Sequence, residues 1–211
     1  MASYLLRTII RAMLPIINRV HAIALGIKPL ERNSLICVEL RRHKSCTIKL
    51  SDGCEVKPGD PVIKLHFNNA WINEKMRSNS GLGKKVFPRR FVSYSKEGLQ
   101  LLAREVADGK YGDIVAVYGW TAFYTHAGRL GFQVIDLSDT LRTKLARLHI
   151  AAVMQAHRVP WLTKLTPSRK SIKVKAVWLS RAELLRIHGS VSKCCCFNDA
   201  EPKAGPVRCP E

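Results

Sequence analysis

Chemistry-bearing side chains crowd one short stretch of this sequence, Leu65-His66-Phe67-Asn68-Asn69. An imidazole that titrates near neutrality, with amides beside it, can act as a general base or orient a ligand. Alternation along Val62–Phe67 places Ile63, Leu65 and Phe67 on an inner face and His66 on the outer face with Lys64 and Val62. No nucleophile or acid is spaced to complete a catalytic set, so a histidine that ties a strand end to its loop by hydrogen bonds is the simpler reading. His66 and Asn68 therefore stand as weak catalytic candidates. His126, three residues ahead of Arg129, is the third, and it reads equally as an anion contact or a helix-surface histidine. His149 and His157 are two helical turns apart, not the single turn of a metal pair.

Anion chemistry is better represented. Lys+Arg number 35 against 16 Asp+Glu, a net charge of +19, which points to a polyanionic partner: an anionic membrane, an envelope polymer or nucleic acid. The excess is +7 over residues 1–50, +4 over 51–100, +1 over 101–150 and +7 over 151–211, so it concentrates at the two ends. Lys75 to Arg90 is expected as a basic loop, with Lys75, Arg77, Lys84, Lys85, Arg89 and Arg90 and no acid. A second cluster holds Lys164, Arg169, Lys170, Lys173 and Lys175. The anion-binding candidates are Lys84, Lys85, Arg89, Arg90, Arg129, Lys170 and Arg181. Gly81-Leu82-Gly83-Lys84 lacks both the first glycine and the hydroxyl residue of a nucleotide phosphate loop, so nucleotide binding is rejected. No cofactor or metal is implied. Seven cysteines, four of them in the last eighteen residues, are neither a disulfide framework nor a zinc pattern; they suit a reducing compartment. Cys194-Cys195-Cys196 are read as part of an idle tail.

These residues need elements to position them. Leu5, Ile9, Met13, Ile16, Val20, Ile23 and Ile27 recur at helical spacing, with Arg7, Arg11 and Arg19 largely elsewhere and a kink expected at Pro15. Those arginines oppose a transmembrane span, leaving a helix that either packs on the core, the commoner outcome, or lies in a membrane interface. After Lys28-Pro29 the period becomes two, and a small antiparallel meander is expected. Its register pairs Leu40 with Cys46, Val38 with Ile48 and Ile36 with Leu50, turning Cys46 inward. Turns follow at Ser51-Asp52-Gly53 and Lys57-Pro58-Gly59-Asp60, and Val62–Phe67 is the next strand.

Ser95 is expected to cap a helix that buries Leu99, Leu102 and Val106 and closes at Asp108-Gly109. A strand at Ile114–Tyr118, a short helix from Thr121 to Leu130 and a strand at Gln133–Leu137 make a strand-helix-strand unit, with parallel pairing expected. Ser138 and Asp139 open a helix bearing Leu141, Leu145, Leu148 and Ala152. A final strand at Lys173–Trp178 leads to a helix with the capping box Ser180-Arg181-Ala182-Glu183 and a stop at Gly189.

Leu50-Ser51-Asp52-Gly53, Lys57-Pro58-Gly59-Asp60, Leu65-His66-Phe67-Asn68-Asn69, Ala127-Gly128-Arg129-Leu130-Gly131-Phe132 and Trp178-Leu179-Ser180-Arg181-Ala182-Glu183-Leu184 follow one another in an order that resembles the YkoP-like domain family. With the amphipathic start the resemblance covers roughly residues 1 to 190. It implies a bacterial domain, also found attached to polysaccharide deacetylases, tied to the cell envelope and without an established activity. The Lys75–Arg90 stretch and the Cys-rich tail fall outside that pattern. A deacetylase module is absent, since there is no Asp-Asp pair near the start and no His-x-x-x-His.

The expected architecture is thus α+β: an amphipathic N-terminal helix over 1–28, an α+β domain over 29–190, and a flexible tail over 191–211. The leading functional expectation is an accessory or binding protein on the cytoplasmic side of a bacterial membrane, peripheral to its inner face. Nucleic-acid binding, with Phe87, Phe91 and Tyr94 as stacking aromatics, is the alternative. A third reading is an enzyme acting on an envelope precursor through His66, Asn68 and His126.

Overall fold

The computed structural model describes residues 19–20, 22–78, 83–156 and 173–189. Six strands form one mixed sheet: β1 (Lys28–Pro29), β2 (Ile36–Arg42), β5 (Pro61–Phe67), β6 (Ala116–Thr121), β8 (Lys175–Ser180) and β7 (Gln133–Ile135), in that spatial order. A separate two-stranded ribbon joins β3 (Ile48–Lys49) to β4 (Glu55–Val56). The helices are α1 (Asn69–Ser78), α2 (Gly83–Ala107), α3 (Tyr124–Ala127, followed by a 3-10 turn, Gly128–Leu130), α4 (Leu141–Ala156) and α5 (Arg181–His188). The α+β expectation holds.

The expected meander register does not. β2 pairs with β5, so that Val38 faces Leu65 and Leu40 faces Ile63, while Ile48 of the expected second strand pairs with Val56 in the ribbon. The reason lies in β5, whose Val62 and Ile63 are both fully buried and need cover on both faces. β2 fills the neighbouring place in the sheet, and the ribbon folds back to supply the second cover. Cys46 is consequently exposed and not inward, and Leu40 is 56% exposed. Cys37, Cys46 and Cys54 are free thiols.

One sheet face carries Ile36, Val38, Ile63, Val117, Val177 and Leu179, packed against Leu99, Leu102 and Val106 of α2 and Leu184 of α5. The approach is close. A Cβ added at Gly98 would lie 2.8 Å from Ile36 Cδ1, so only glycine lets α2 sit so near β2. The opposite face carries Val62, Ala116, Tyr118, Ala176 and Trp178 under Leu50 and Val56 from the ribbon region. Polar bonds fix the ribbon: Ser51 N–H donates to Gln133 Oε1 at 2.7 Å, and Ser180 donates its hydroxyl to Asp52.

Two helical boundaries differ from expectation. The described residues of the Lys75–Arg90 stretch are helical where a loop is expected: α1 runs to Ser78 and α2 begins at Gly83. Pro88 lies inside α2 and does not end it. Ser95 is therefore in mid-helix, where its hydroxyl donates to the carbonyl four residues back, Phe91 O, at 2.8 Å instead of capping a first turn. Thr121 closes β6 and its side chain accepts from Phe123 N–H, so α3 starts later than expected. β6 and β7 run in the same direction but are not neighbours, because β8 inserts between them and pairs antiparallel with both. The Ser180 capping contact forms as expected, with Glu183 N–H donating to Ser180 Oγ at 3.0 Å.

Residues 19–20 and 22–24 are helical, and Val20 and Ile23, expected on the buried stripe, are 61% and 74% exposed. The rest of the expected N-terminal stripe up to Ile16, the cluster at Lys164, Arg169 and Lys170, and the Cys194-Cys195-Cys196 tail lie outside the described residues.

Candidate functional site

The polar centre of the molecule is built by the β2–β5 register. Glu39 stands opposite Lys64, and Cys37 opposite His66, all on the face that the ribbon covers only in part. Glu39 is 5% exposed, which obliges its charge to find partners. It finds two. His66 donates from Nε2 to Glu39 Oε2 at 2.9 Å, and Arg41 Nη1 lies 3.4 Å from Oε1. Lys64 lies over the Trp120 ring at 5.3 Å from its centroid, and Tyr118 stacks on Trp178 at 4.5 Å.

A carboxylate that holds an imidazole by one nitrogen is the orienting half of a general-base pair. The other half would be an activated nucleophile. Cys37 is the strand partner of His66, but burial pushes its thiol up to about 11, so near neutrality it is protonated and inert. The Glu39 oxygens are already committed to His66 and Arg41. The group reads as a self-satisfied network that fixes β2 on β5.

Asn68 has a structural assignment. Its Oδ1 accepts from Trp71 N–H at 3.1 Å, starting α1, and its Nδ2 donates to Ser34 O at 3.2 Å. His126 lies on α3 with Nδ1 3.2 Å from Thr125 Oγ1. Burial and then the Arg129 charge hold its pKa below the ordinary histidine range, so it carries little charge at neutrality. His66, Asn68 and His126 thus serve three separate local arrangements: an ion-pair network, a helix start and a helix surface.

Of the anion-binding candidates, Lys84, Lys85 and Arg89 fall on the opening turns of α2, and their side chains lie outside the described ones; Arg90 is exposed. Lys170 lies outside the described residues. Arg181 opens α5 and pairs with Asp113 at 3.6 Å. Arg129 is exposed near the other end of α5, where His188 bonds Leu130 O. Eight helical residues put about 12 Å between those ends, so Arg129 and Arg181 start from opposite ends of α5.

Glu39 is the residue that sequence reasoning misses. Its signal exists only in the pairing of two strands 27 positions apart, and the expected meander hid it. Among the described residues no group of His, Cys, Asp and Glu could hold a metal ion, and no helix is long and apolar enough to cross a membrane.

No curated protein and no solved structure matches this chain. The YkoP domain family model matches residues 7–188, nearly the whole length, and its match takes in both the Glu39–His66 network and the capped helix that closes the fold. The chain belongs to the YkoP domain family.

Proposed function

We propose that this protein binds and does not catalyse, and that it works as an accessory factor against an anionic surface, the cytoplasmic face of a bacterial membrane or an envelope polymer. One observation carries the reading. Over residues 28–50 the cations Lys28, Arg32, Arg42, Lys44 and Lys49 are exposed, whereas of the two acids there only Glu31 faces outward; Glu39 is buried and engaged by Arg41 and His66. With Glu39 neutralised by Arg41 inside the fold, the whole net charge of +4 that the sequence gives this stretch is carried by its exposed groups, five cations against one acid. Long-range attraction to a polyanion follows from that excess.

Nucleic acid is the weaker partner. Two of the three stacking aromatics it would need are engaged elsewhere: Phe91 is 4% exposed inside a ring cluster with Phe67 and Phe123, and Tyr94 sits edge-on to Trp71, while the Phe87 side chain lies outside the described ones. The enzyme reading loses its catalytic set to structural duties.

Flotation of the full-length protein with phosphatidylglycerol vesicles tests the proposal. Recovery with anionic but not neutral vesicles, falling as salt rises, is expected. A protein that stays at the bottom of the gradient with anionic vesicles at low salt refutes the membrane form, and a parallel gel shift with single-stranded nucleic acid would move the assignment to the alternative.

A further inference from the structure

We infer that α4 docks on an anionic lipid bilayer by laying an outward leucine row into the interface. This rests on the surface-binding reading above and names the element that makes the contact.

Leu141, Leu145 and Leu148 are 75%, 58% and 68% exposed. At about 100° per residue they occupy an arc of about 60° on one side of the helix. Thr143, on the other side, is 4% exposed, and its hydroxyl donates to Ser138 O at 2.7 Å. Ala146, Arg147 and Ile150 are half-buried, so the helix turns these positions toward the body and the leucines away from it. An amphipathic helix on a globular protein normally does the reverse. A contiguous outward apolar row marks a surface that something else covers.

Charge selects the occupant. Lys144, 61% exposed, borders the row, and Arg147 lies further round the helix. Among the described residues both pair with Asp139, at 3.5 and 3.4 Å, and that carboxylate is itself 66% exposed. Exposed pairs of this kind are worth little, so Lys144 can exchange Asp139 for a lipid phosphate while its stem runs along the acyl boundary. An apolar row bordered by cations is the arrangement of a helix that lies in the interface plane. Nucleic acid offers nothing to a leucine row. A second copy would bring two Lys144 side chains, and two chains of net charge +19, together. Sixteen residues make about 24 Å of helix, enough to lie along a bilayer and too short to cross one.

The test uses the full chain with all three leucines changed (Leu141→Gln, Leu145→Gln, Leu148→Gln), measured by co-sedimentation with vesicles of equal parts phosphatidylglycerol and phosphatidylcholine. Glutamine keeps helix propensity, and exposed positions leave the fold intact. The expected result is more than tenfold weaker partitioning, with unchanged thermal unfolding and unchanged size in gel filtration. Lys144→Gln alone should weaken partitioning about fivefold, and only on anionic vesicles. Equal partitioning of wild type and triple variant overturns the α4 assignment while leaving the surface reading standing on charge alone. A triple variant that unfolds at clearly lower temperature, or that turns a wild-type dimer into a monomer, also overturns it, because the row is then covered by protein. Wild-type protein that fails to partition at all removes the surface reading itself.

Discussion

Helices α2 and α4 carry the same kind of signal in sequence and meet opposite fates. Leu99, Leu102 and Val106 recur at helical spacing in α2 and are at most 1% exposed; Leu141, Leu145 and Leu148 recur likewise in α4 and are more than half exposed. The difference is what lies beneath. α2 crosses the sheet over β2, and Gly98 lets it descend onto Ile36. α4 leaves from β7, the last strand at the sheet edge, where among the described residues no further strand extends below it. Its anchors are polar ones: the Thr143 hydroxyl donates to Ser138 O and accepts from Thr140 N–H. Periodicity therefore establishes that a helix has an apolar side. Position relative to the sheet decides whether that side meets protein.

The contrast breaks or stands on paired truncations. Leu102→Ala, at a position with no exposure and neighbours fixed by both sheet and helix, is expected to cost roughly 2–5 kcal/mol in urea unfolding, the range for a buried leucine that leaves a cavity. A loss under about 1 kcal/mol would mean that α2 does not pack as the structure has it.

Legibility in the sequence follows the same division. Local signals were readable: the Ser180 cap, the turns in which Gly53 and Gly59 adopt positive φ, and the stripe of α2. Each depends on residues a few positions apart. The β2–β5 pairing was not readable, because alternation in Ile36–Leu40 fits any neighbour with an apolar face, and the nearer candidate, Cys46–Leu50, looked sufficient. That one error concealed Glu39 and left His66 without its partner. The insertion of β8 between β6 and β7 escaped for the same reason, since strand direction was correct and adjacency is set by a segment 40 residues downstream. Among the candidate residues, His66, Asn68 and Arg181 each meet a partner that spacing could not foretell: Glu39, Ser34 and Asp113.

A second measurement sharpens the packed side of the comparison. His188 ends α5 at 2% exposure, its Nε2–H donating to Leu130 O at 2.9 Å, and Nδ1 has no partner among the described residues. Burial, with a smaller contribution from the Lys96 charge, depresses its pKa, the Leu130 bond acting the other way. In the unfolded chain the imidazole takes up a proton near its ordinary value, about 6.5, more readily than in the fold. Stability is therefore fully present above that pH and falls as pH drops through it toward the depressed folded value. Thermal unfolding from pH 7.5 to 5 should show the slope, and His188→Gln should flatten it. An unchanged slope in the variant would place the titration elsewhere.

The smallest expected effect is the most discriminating. Leu145→Ala removes as many atoms as Leu102→Ala, yet at 58% exposure it gives up little buried area and opens no enclosed cavity. Alanine is also the better helix former by a few tenths of a kcal/mol, which offsets what contact is lost. The expected change in unfolding free energy is within about 0.5 kcal/mol of zero, with an unchanged urea dependence. A loss above about 1.5 kcal/mol would mean that this side of α4 is covered within the folded chain, and the two helices would then differ in position but not in kind. A value near zero keeps them distinct: α2 holds the fold together, and the leucines of α4 contribute nothing to it that would explain their spacing.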